Sequence, residues 1–357
     1  MRVAFISRST LFEVRGGDTT QVEQTAEHLR ALGLEVDILL SNDRIDYEKY
    51  DLFHFFNLIR PADILFHQAQ AQGPSVISPI YVDYSEFDQK ERRGLAKIIA
   101  IGLGKFGAEY FKTIYRTFRG QDKLMSKRYI LGHKQAMKKA VSSASMLLPN
   151  SDSEAQRVAQ DLNISFNHRV IPNAINTEVF NVQPNVNRNS KQIICVGQIE
   201  GRKNQHRLIE ATRDLDFDVL IVGKPSPNNA DYLKLCKEIA HDRVRFMDFV
   251  DQKELSRLYN ESILHVLPSW FETTGLTSLE AAACGCKLVV SENGDTKDYF
   301  DGVAKFCKPG DVASIRKAIV LALESDYTES MFERIKSEYN WRQTAKKTIS
   351  AYQEIIG

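Results

Sequence analysis

Two glutamates, Glu272 and Glu280, stand eight positions apart in the stretch Pro268–Gly285, PSWFETTGLTSLEAAACG, on either side of a Thr-Thr-Gly-Leu turn. Two carboxylates so placed can accept hydrogen bonds from sugar hydroxyls. After the turn, Leu279, Ala281, Ala282 and Ala283 read as a short helix stopped by Gly285. The amides from Thr274 to Ser278 would then sit at a helix amino terminus, where an anionic phosphate is stabilised. A plainer explanation competes: Thr277-x-x-Glu280 is also a capping box, and Glu272 can be a solvated loop acid. A second set of groups fits the same anion. Arg202 and Lys203 follow Gly201 in a loop and supply positive charge for a diphosphate, and Gly16-Gly17 lets the backbone approach a ligand just ahead of another helix.

The elements that must carry these loops alternate. An apolar run, Ile263 to Leu267, ends at Pro268, and Lys287 to Val290 follows the glutamate helix, giving strand, loop, helix, strand. In a parallel sheet that order puts the loop at the carboxyl ends of the strands, where open α/β sheets bind ligands. Earlier strands are expected at Val3–Ile6, Val36–Leu40, Asp51–Phe55, Ser75–Ser78 and Met146–Leu148. Thr20-x-x-Glu23 opens a helix after the first of them, and Asn150-Ser151-Asp152 opens another. A polar, aperiodic stretch, Val182 to Lys191, reads as a domain linker. A second βα series then runs through Ile193–Val196, Val219–Val222 and Val244–Met247, with helices at Glu254–Tyr259 and from Val312 to Leu323, and a last helix from Trp341 to Ile356. The pattern implies two parallel-sheet domains, as 357 residues also suggest.

Charge nearly cancels, with 47 basic and 46 acidic residues, so no global field points to nucleic acid. The charge is not evenly spread. Residues 90–139 hold 14 Lys or Arg and 3 acids, a net of +11. Tyr84 to Ser143 reads as a basic, aromatic-rich helical insertion, suited either to an anionic bilayer or lipid-linked substrate or to a solvated face over an apolar stripe. Inside it, Gly102-x-Gly104-x-x-Gly107 has dinucleotide-fingerprint spacing but lacks the βαβ context. The pairs Asp214-x-Asp216 and Asp216-x-Asp218 read as a solvated turn. The five cysteines are odd in number and lie in apolar surroundings, which speaks against a disulfide framework and for a reducing compartment. No run of 18 apolar residues occurs, and the amino terminus enters a strand at once, so a soluble chain is expected, at most peripherally bound to membrane.

Five ordered stretches together resemble the glycosyltransferases of family 4, the group 1 glycosyltransferases of GT-B fold. They are the Pro268–Val290 donor-site signature, Gly16-Gly17, PNAINTEVF from Pro172 to Phe180, VGQIEGRKN from Val196 to Asn204, and the Trp341 helix, with the Val219–Gly223 strand and turn in support. The resemblance implies two Rossmann-like domains facing across a cleft. The first would span 1–181, with the helical insertion 84–143 and the carboxyl-terminal helix 341–357 packed back upon it; the second would span 182–340. It implies a retaining, metal-independent glycosyltransferase that moves sugar from a UDP- or GDP-sugar to a hydroxyl of a glycan or lipid-linked acceptor in envelope polysaccharide or glycolipid synthesis. Such a protein needs no cofactor beyond the sugar nucleotide, and it would be cytoplasmic or peripheral on the inner face of the membrane.

Carried over by position, Lys203 and Glu272 are the catalytic residues, Lys203 neutralising the leaving diphosphate and Glu272 holding the donor sugar. Glu280 holds the ribose, and Thr273, Thr274, Gly275, Leu276 and Thr277 surround the diphosphate. Val250 lies near the base, Arg202 adds charge, and Gly16 and Gly17 face the phosphates. Departures occur at Gln198, where the family has Arg, at Asn173-Ala174 and Asn176, and at the usual first-domain His, whose region reads SPIYVDYSEFD. Tyr81, Asp83 and His54 are the acceptor-side candidates. A non-catalytic sugar-nucleotide binder on the same fold is the alternative, and a dehydrogenase the third reading.

Overall fold

The computed structural model describes residues 1–91, 94–123, 129, 132–226, 229–325 and 329–357, with the backbone alone at 94–103 and 329–331. The chain forms two compact units. The first holds Met1–Tyr81, Asp88–Asn173 and Trp341–Gly357; the second holds Val82–Phe87 and Ala174–Asn340.

The first unit is built on five parallel strands, β1 (Arg2–Ser7), β2 (Glu35–Leu40), β3 (Leu52–Phe56), β4 (Ser75–Ser78) and β5 (Met146–Leu147), in the order β2-β1-β3-β4-β5. Side-chain alternation decides what covers each face. Val3 and Phe5 join Val22, Ala26 and Leu29 of the helix Gly17–Ala31 and Ala345, Ala351 and Tyr352 of the terminal helix Trp341–Ile356. Ala4 and Ile6 face the other way, toward Leu65, Ala136, Met137 and Val158 on three further helices. The expected return of the terminal helix to the first domain is thus realised by an apolar stripe.

The helix after β1 starts earlier than Thr20. Gly16 is its N-cap, and the Gly16 amide donates to Thr19 Oγ1 at 3.1 Å, which leaves Thr20 inside the first turn. Asn150-Ser151-Asp152 does open a helix, Asp152–Leu162, with Ser151 Oγ accepting from the Glu154 amide at 3.0 Å.

The second unit carries six parallel strands, β6 (Asn189–Val196), β7 (Asp218–Val222), β8 (Val244–Met247), β9 (Ser262–Leu267), β10 (Lys287–Ser291) and β11 (Lys305–Cys307), ordered β11-β10-β9-β6-β7-β8. Ile193, Cys195, Val219 and Ile221 bury against the helices Gln205–Thr212 and Val312–Glu324. Ile194, Val196, Leu220 and Val222 bury against Gln252–Glu261 and Leu276–Ala283.

The stretch Val182–Lys191 is not all linker. Arg188 donates to the carbonyls of Ser262 and Cys284 at 2.6 and 2.8 Å, and β6 begins at Asn189. The chain instead divides between Asn173 and Ala174. Strand β11 went unread because three residues are too few for a period to emerge.

The insertion contains a helix, Gly94–Phe118, with a kink at Gly104 (φ 61°, ψ 180°). The Gly102–Gly107 spacing therefore lies within a helix and makes no strand-to-helix phosphate turn. Arg92, Arg93, Lys127 and Arg128 of the basic segment lie outside the described residues. Asp214 and Asp216 are engaged in ion pairs, Asp214 with Arg316 at 2.9 Å and Asp216 with Lys191 and Arg243. All five cysteines are buried and unbridged.

Candidate active site

Two loops of the second unit are sewn together before their side chains meet. The first leaves β6 at Gly197 and turns through Gly201–Lys203, closed by the Lys203 amide on the Glu200 carbonyl at 2.9 Å. Asn204 takes a left-handed conformation (φ 64°), and its Nδ2 donates to the Pro268 carbonyl at 3.0 Å and the Pro309 carbonyl at 2.7 Å. The Trp270 amide returns a bond to the Arg202 carbonyl at 2.9 Å. Gly223 makes the packing possible: a Cβ there would stand 2.0 Å from the Gly197 carbonyl oxygen.

On this frame Lys203 Nζ meets Glu272 Oε1 at 2.5 Å, with 26% and 12% of the two side chains exposed. Burial alone would lower the Lys203 pKa. The Glu272 carboxylate, and after it the Tyr84 phenol, outweigh that and hold the ammonium above its ordinary value. Arg202 pairs with Glu200 at 2.8 Å. Gln198 lies on the same loop, its carbonyl accepting from Gln205 Nε2 at 2.9 Å.

Glu272 is pinned through its backbone. Its carbonyl accepts from the Asp295 amide at 2.8 Å, and its chain runs against Gly294 so closely that a Cβ there would lie 2.1 Å from that carbonyl oxygen. Beyond it Thr273 is half-buried, and buried Thr274 donates from Oγ1 to the Tyr299 hydroxyl at 3.4 Å. Gly275, in the left-handed region at φ 72°, then starts the helix Leu276–Ala283.

Gly275 is the N-cap, so Thr277 is not, and the capping-box explanation of Thr277-x-x-Glu280 does not hold. The amides of Ser278 and Leu279 are committed to the Gly275 carbonyl at 2.8 and 3.1 Å. Those of Leu276 and Thr277 stand in the first turn, where the helix supplies no acceptor. Glu280 is half-buried and takes a long hydrogen bond, 3.4 Å, from the Tyr259 hydroxyl. Burial pushes its carboxyl up to about 8. Val250 packs half-buried at the edge of the core that holds Tyr259 and Leu279.

The second unit thus gathers Arg202, Lys203, Glu272, Thr273, Thr274, Gly275, Leu276, Thr277 and Glu280 around adjoining loops. Gly16, Gly17, His54 and Tyr81 belong to the first unit. Gly16 and Gly17 are exposed at the start of their helix. His54 is buried with Nδ1 2.7 Å from the Tyr352 hydroxyl and Nε2 2.8 Å from Ser78 Oγ, so both ring nitrogens are engaged. Its pKa is pushed down to about 3 by burial. Tyr81 is likewise in the core, its amide on Glu154 Oε1 at 2.5 Å and its hydroxyl on Asp161 Oδ2 at 2.8 Å. These bonds account for His54 and Tyr81 as packing and joining residues.

Asp83 goes with the second unit and caps its own turn, accepting from the Ser85 amide at 2.9 Å and hydroxyl at 2.5 Å. Sequence reasoning passed over Gly294 and His265 and gave Asn204, the end of the VGQIEGRKN stretch, no role of its own. His265 is buried on β9 with Nε2 3.1 Å from Ser278 Oγ, tying the strand to the glutamate helix. A positive φ or a backbone contact leaves no mark in hydrophobic periodicity, and only the residue types Gly and Asn hinted at them.

The fold is that of GT-B glycosyltransferases. Over 99% of this chain it superposes on 98% of sucrose-phosphate synthase from Thermosynechococcus elongatus, with a TM-score of 0.76 at 18% identity. The same share superposes on all of Anabaena HepE, solved in complex with UDP-glucose, with a TM-score of 0.68 at 14% identity. Residues 176–348 match the family model for glycosyl transferases group 1.

Among curated proteins, the chain is 26% identical over 204 residues to a probable sucrose-phosphate synthase of Thermosipho melanesiensis, covering 52% of this chain and 47% of that one. It is 26% identical over 240 residues to a D-inositol 3-phosphate glycosyltransferase of an Arthrobacter species, covering 60% and 57%. The chain thus spans about half the length of the curated relatives it matches.

Proposed function

We propose that the protein is a retaining glycosyltransferase that takes a sugar from a nucleotide-diphosphate sugar, UDP- or GDP-linked, and passes it to a hydroxyl of a glycan or lipid-linked acceptor. The observation that carries this reading is the Lys203–Glu272 pair, 2.5 Å apart and fixed on two cross-linked loops beside a helix start. A diphosphate entering there would take the Lys203 ammonium and free Glu272 to accept from sugar hydroxyls, so one ligand satisfies both partners. The amides of Leu276 and Thr277 and the guanidinium of Arg202 add to the positive field. Glu280 supplies a carboxylate for the ribose hydroxyls.

In the reaction the bond from the anomeric carbon to the phosphate oxygen breaks, and its electron pair leaves with the diphosphate, stabilised by Lys203 and Arg202. The acceptor oxygen bonds to the anomeric carbon from the same face and gives its proton to the departing phosphate oxygen. Basic side chains and amides supply the neutralisation, so turnover should survive a chelator.

The test is incubation with UDP- and GDP-sugars and a panel of hydroxyl acceptors, following nucleotide release and the anomeric configuration of the product by NMR, with and without EDTA. Lys203→Ala should lower turnover 100-fold or more while weakening donor binding far less, because the charge it meets grows in the transition state. Unchanged turnover removes its assigned role. Donor binding without nucleotide release for any acceptor would favour the non-catalytic binder, a reading supported by His54, whose ring nitrogens are both engaged.

The acceptor side is read from the insertion. Phe111, Tyr115 and Phe118 project from the helix Gly94–Phe118 with 56%, 58% and 88% exposure, interleaved with Lys112, Arg116 and Arg119. Aromatics at helical spacing among cations suit the surface of an anionic bilayer. This supports a lipid-linked acceptor, an envelope role and a peripheral place on the inner membrane face. No helix among the described residues is long and apolar enough to cross a membrane. Sedimentation with phosphatidylglycerol vesicles should capture the protein at low salt and release it at high salt.

A further inference from the structure

A six-residue strap, Val82–Phe87, leaves the first unit's sequence and belongs by its contacts to the second. It is held at three points. The Glu86 carboxylate accepts from Asn293 Nδ2 at 2.6 Å. The Phe87 ring lies against Trp270, centroids 6.3 Å apart, and so close to Gly201 that a Cβ there would be 3.3 Å from the ring. The Tyr84 ring carries the Arg202 guanidinium 4.7 Å from its centroid and meets Phe271 edge-on at 6.1 Å.

Each anchor thus falls on one of the loops that deliver Arg202, Lys203 and Glu272, or on Asn293 beside Gly294, where Glu272 is pinned. The Tyr84 phenol also lies within the field of all three of those charges and of Glu200, and burial keeps it neutral by raising its pKa. A neutral phenol beside a Lys–Glu pair is a hydrogen-bond donor for the anion that separates the pair.

We infer that Tyr84 is a donor-positioning residue, its ring holding Arg202 over the diphosphate and its hydroxyl donating to the diphosphate-sugar end of the nucleotide. This rests on the donor-site reading above. It also gives the SPIYVDYSEFD stretch a role on the donor side.

The test is calorimetric titration of wild type, Tyr84→Phe and Tyr84→Ala with UMP, UDP, UDP-glucose, GMP, GDP and GDP-mannose, alongside melting temperatures. For the base that wild type accepts, Tyr84→Phe keeps the ring on Arg202 and should weaken the nucleotide sugar about 5–10-fold while leaving the nucleoside monophosphate unchanged. Tyr84→Ala also frees Arg202 and should weaken the nucleoside diphosphate by a similar factor, again sparing the monophosphate. If wild type binds a nucleotide sugar and both variants bind it as tightly, the Tyr84 assignment is overturned and the donor site stands. A Tyr84→Phe that matches wild type beside a weakened Tyr84→Ala overturns the hydroxyl's part. If wild type binds none of the six nucleotides, the donor-site reading itself fails.

Discussion

Glu280 is where the free protein and its proposed complex differ most in protonation. With its carboxyl pushed up to about 8 by burial, the side chain is mostly neutral at pH 7. Two ribose hydroxyls donating to it favour the ionised form and pull the pKa down. Binding near neutrality therefore expels a proton. UDP-glucose suits the measurement because its diphosphate, esterified at both ends, does not titrate near neutrality. Titrations at pH 7 in buffers of different ionisation enthalpy should show release of close to one proton, declining toward zero by pH 9, with affinity rising as pH climbs to 8. Glu280→Gln should abolish the release. Proton release that persists in Glu280→Gln would place the titrating group elsewhere. Glu272 is different in kind: it meets Lys203 directly, and the ligand exchanges its partner.

At the scale of loops and strands, Gly294 decides where Glu272 sits. It holds φ 92°, and a Cβ would fall 2.1 Å from the Glu272 carbonyl oxygen, a backbone atom that cannot swing aside. Gly294→Ala should cost roughly 2–4 kcal/mol by combining left-handed strain with overpacking, and should abolish UDP-glucose binding by moving Glu272. Gly302 is the control. It too has a positive φ of 78°, but nothing lies within 4 Å of its Cβ position; Gly302→Ala should cost about 1 kcal/mol and spare binding. Equal losses in the two variants would show that the close contact does not position Glu272.

The same contrast explains what the sequence disclosed. Strands such as Val244–Met247 and the helix Asp152–Leu162 announce themselves by apolar period and by a Ser cap. Lys203, Glu272 and Glu280 announce themselves by type and spacing. The start of the glutamate helix did not: Thr277 has the chemistry of a cap, but the left-handed Gly275 takes that position. Residues 82–87 were hidden for another reason, since period and propensity are local, whereas Tyr84 meets Arg202 118 positions away in the chain.

Across the whole chain, buried titratable groups set opposing slopes of stability against pH. His54 and His265 are pushed down to about 3 and His67 and His133 to about 4, all by burial first. Each binds a proton when unfolded below about 6.5 but not when folded, so its contribution is complete above 6.5 and is lost as pH falls toward 4 and 3. Asp63 and Glu280 run the other way. Burial raises Asp63 to about 7 and Glu280 to about 8, so the folded chain holds protons that the unfolded chain has shed above about 4.5, and stability falls as pH rises through 7 and 8. Each group changes stability by about 1.4 kcal/mol per pH unit inside its window. Below 6.5 the four histidines outnumber the two acids, and above 6.5 only the acids act, so the two slopes meet near pH 6.5. Melting temperatures scanned from pH 5 to pH 9 should peak between 6 and 7. Asp63→Asn should remove a contribution that falls between about pH 4 and 7, steepening the acid side by about 1.4 kcal/mol per pH unit and leaving the fall above pH 7, which belongs to Glu280, intact. His54→Gln should make the acid side shallower at the expense of its bonds to Tyr352 and Ser78. A profile that climbs steadily to pH 9 would mean that neither carboxyl is protonated in the folded chain.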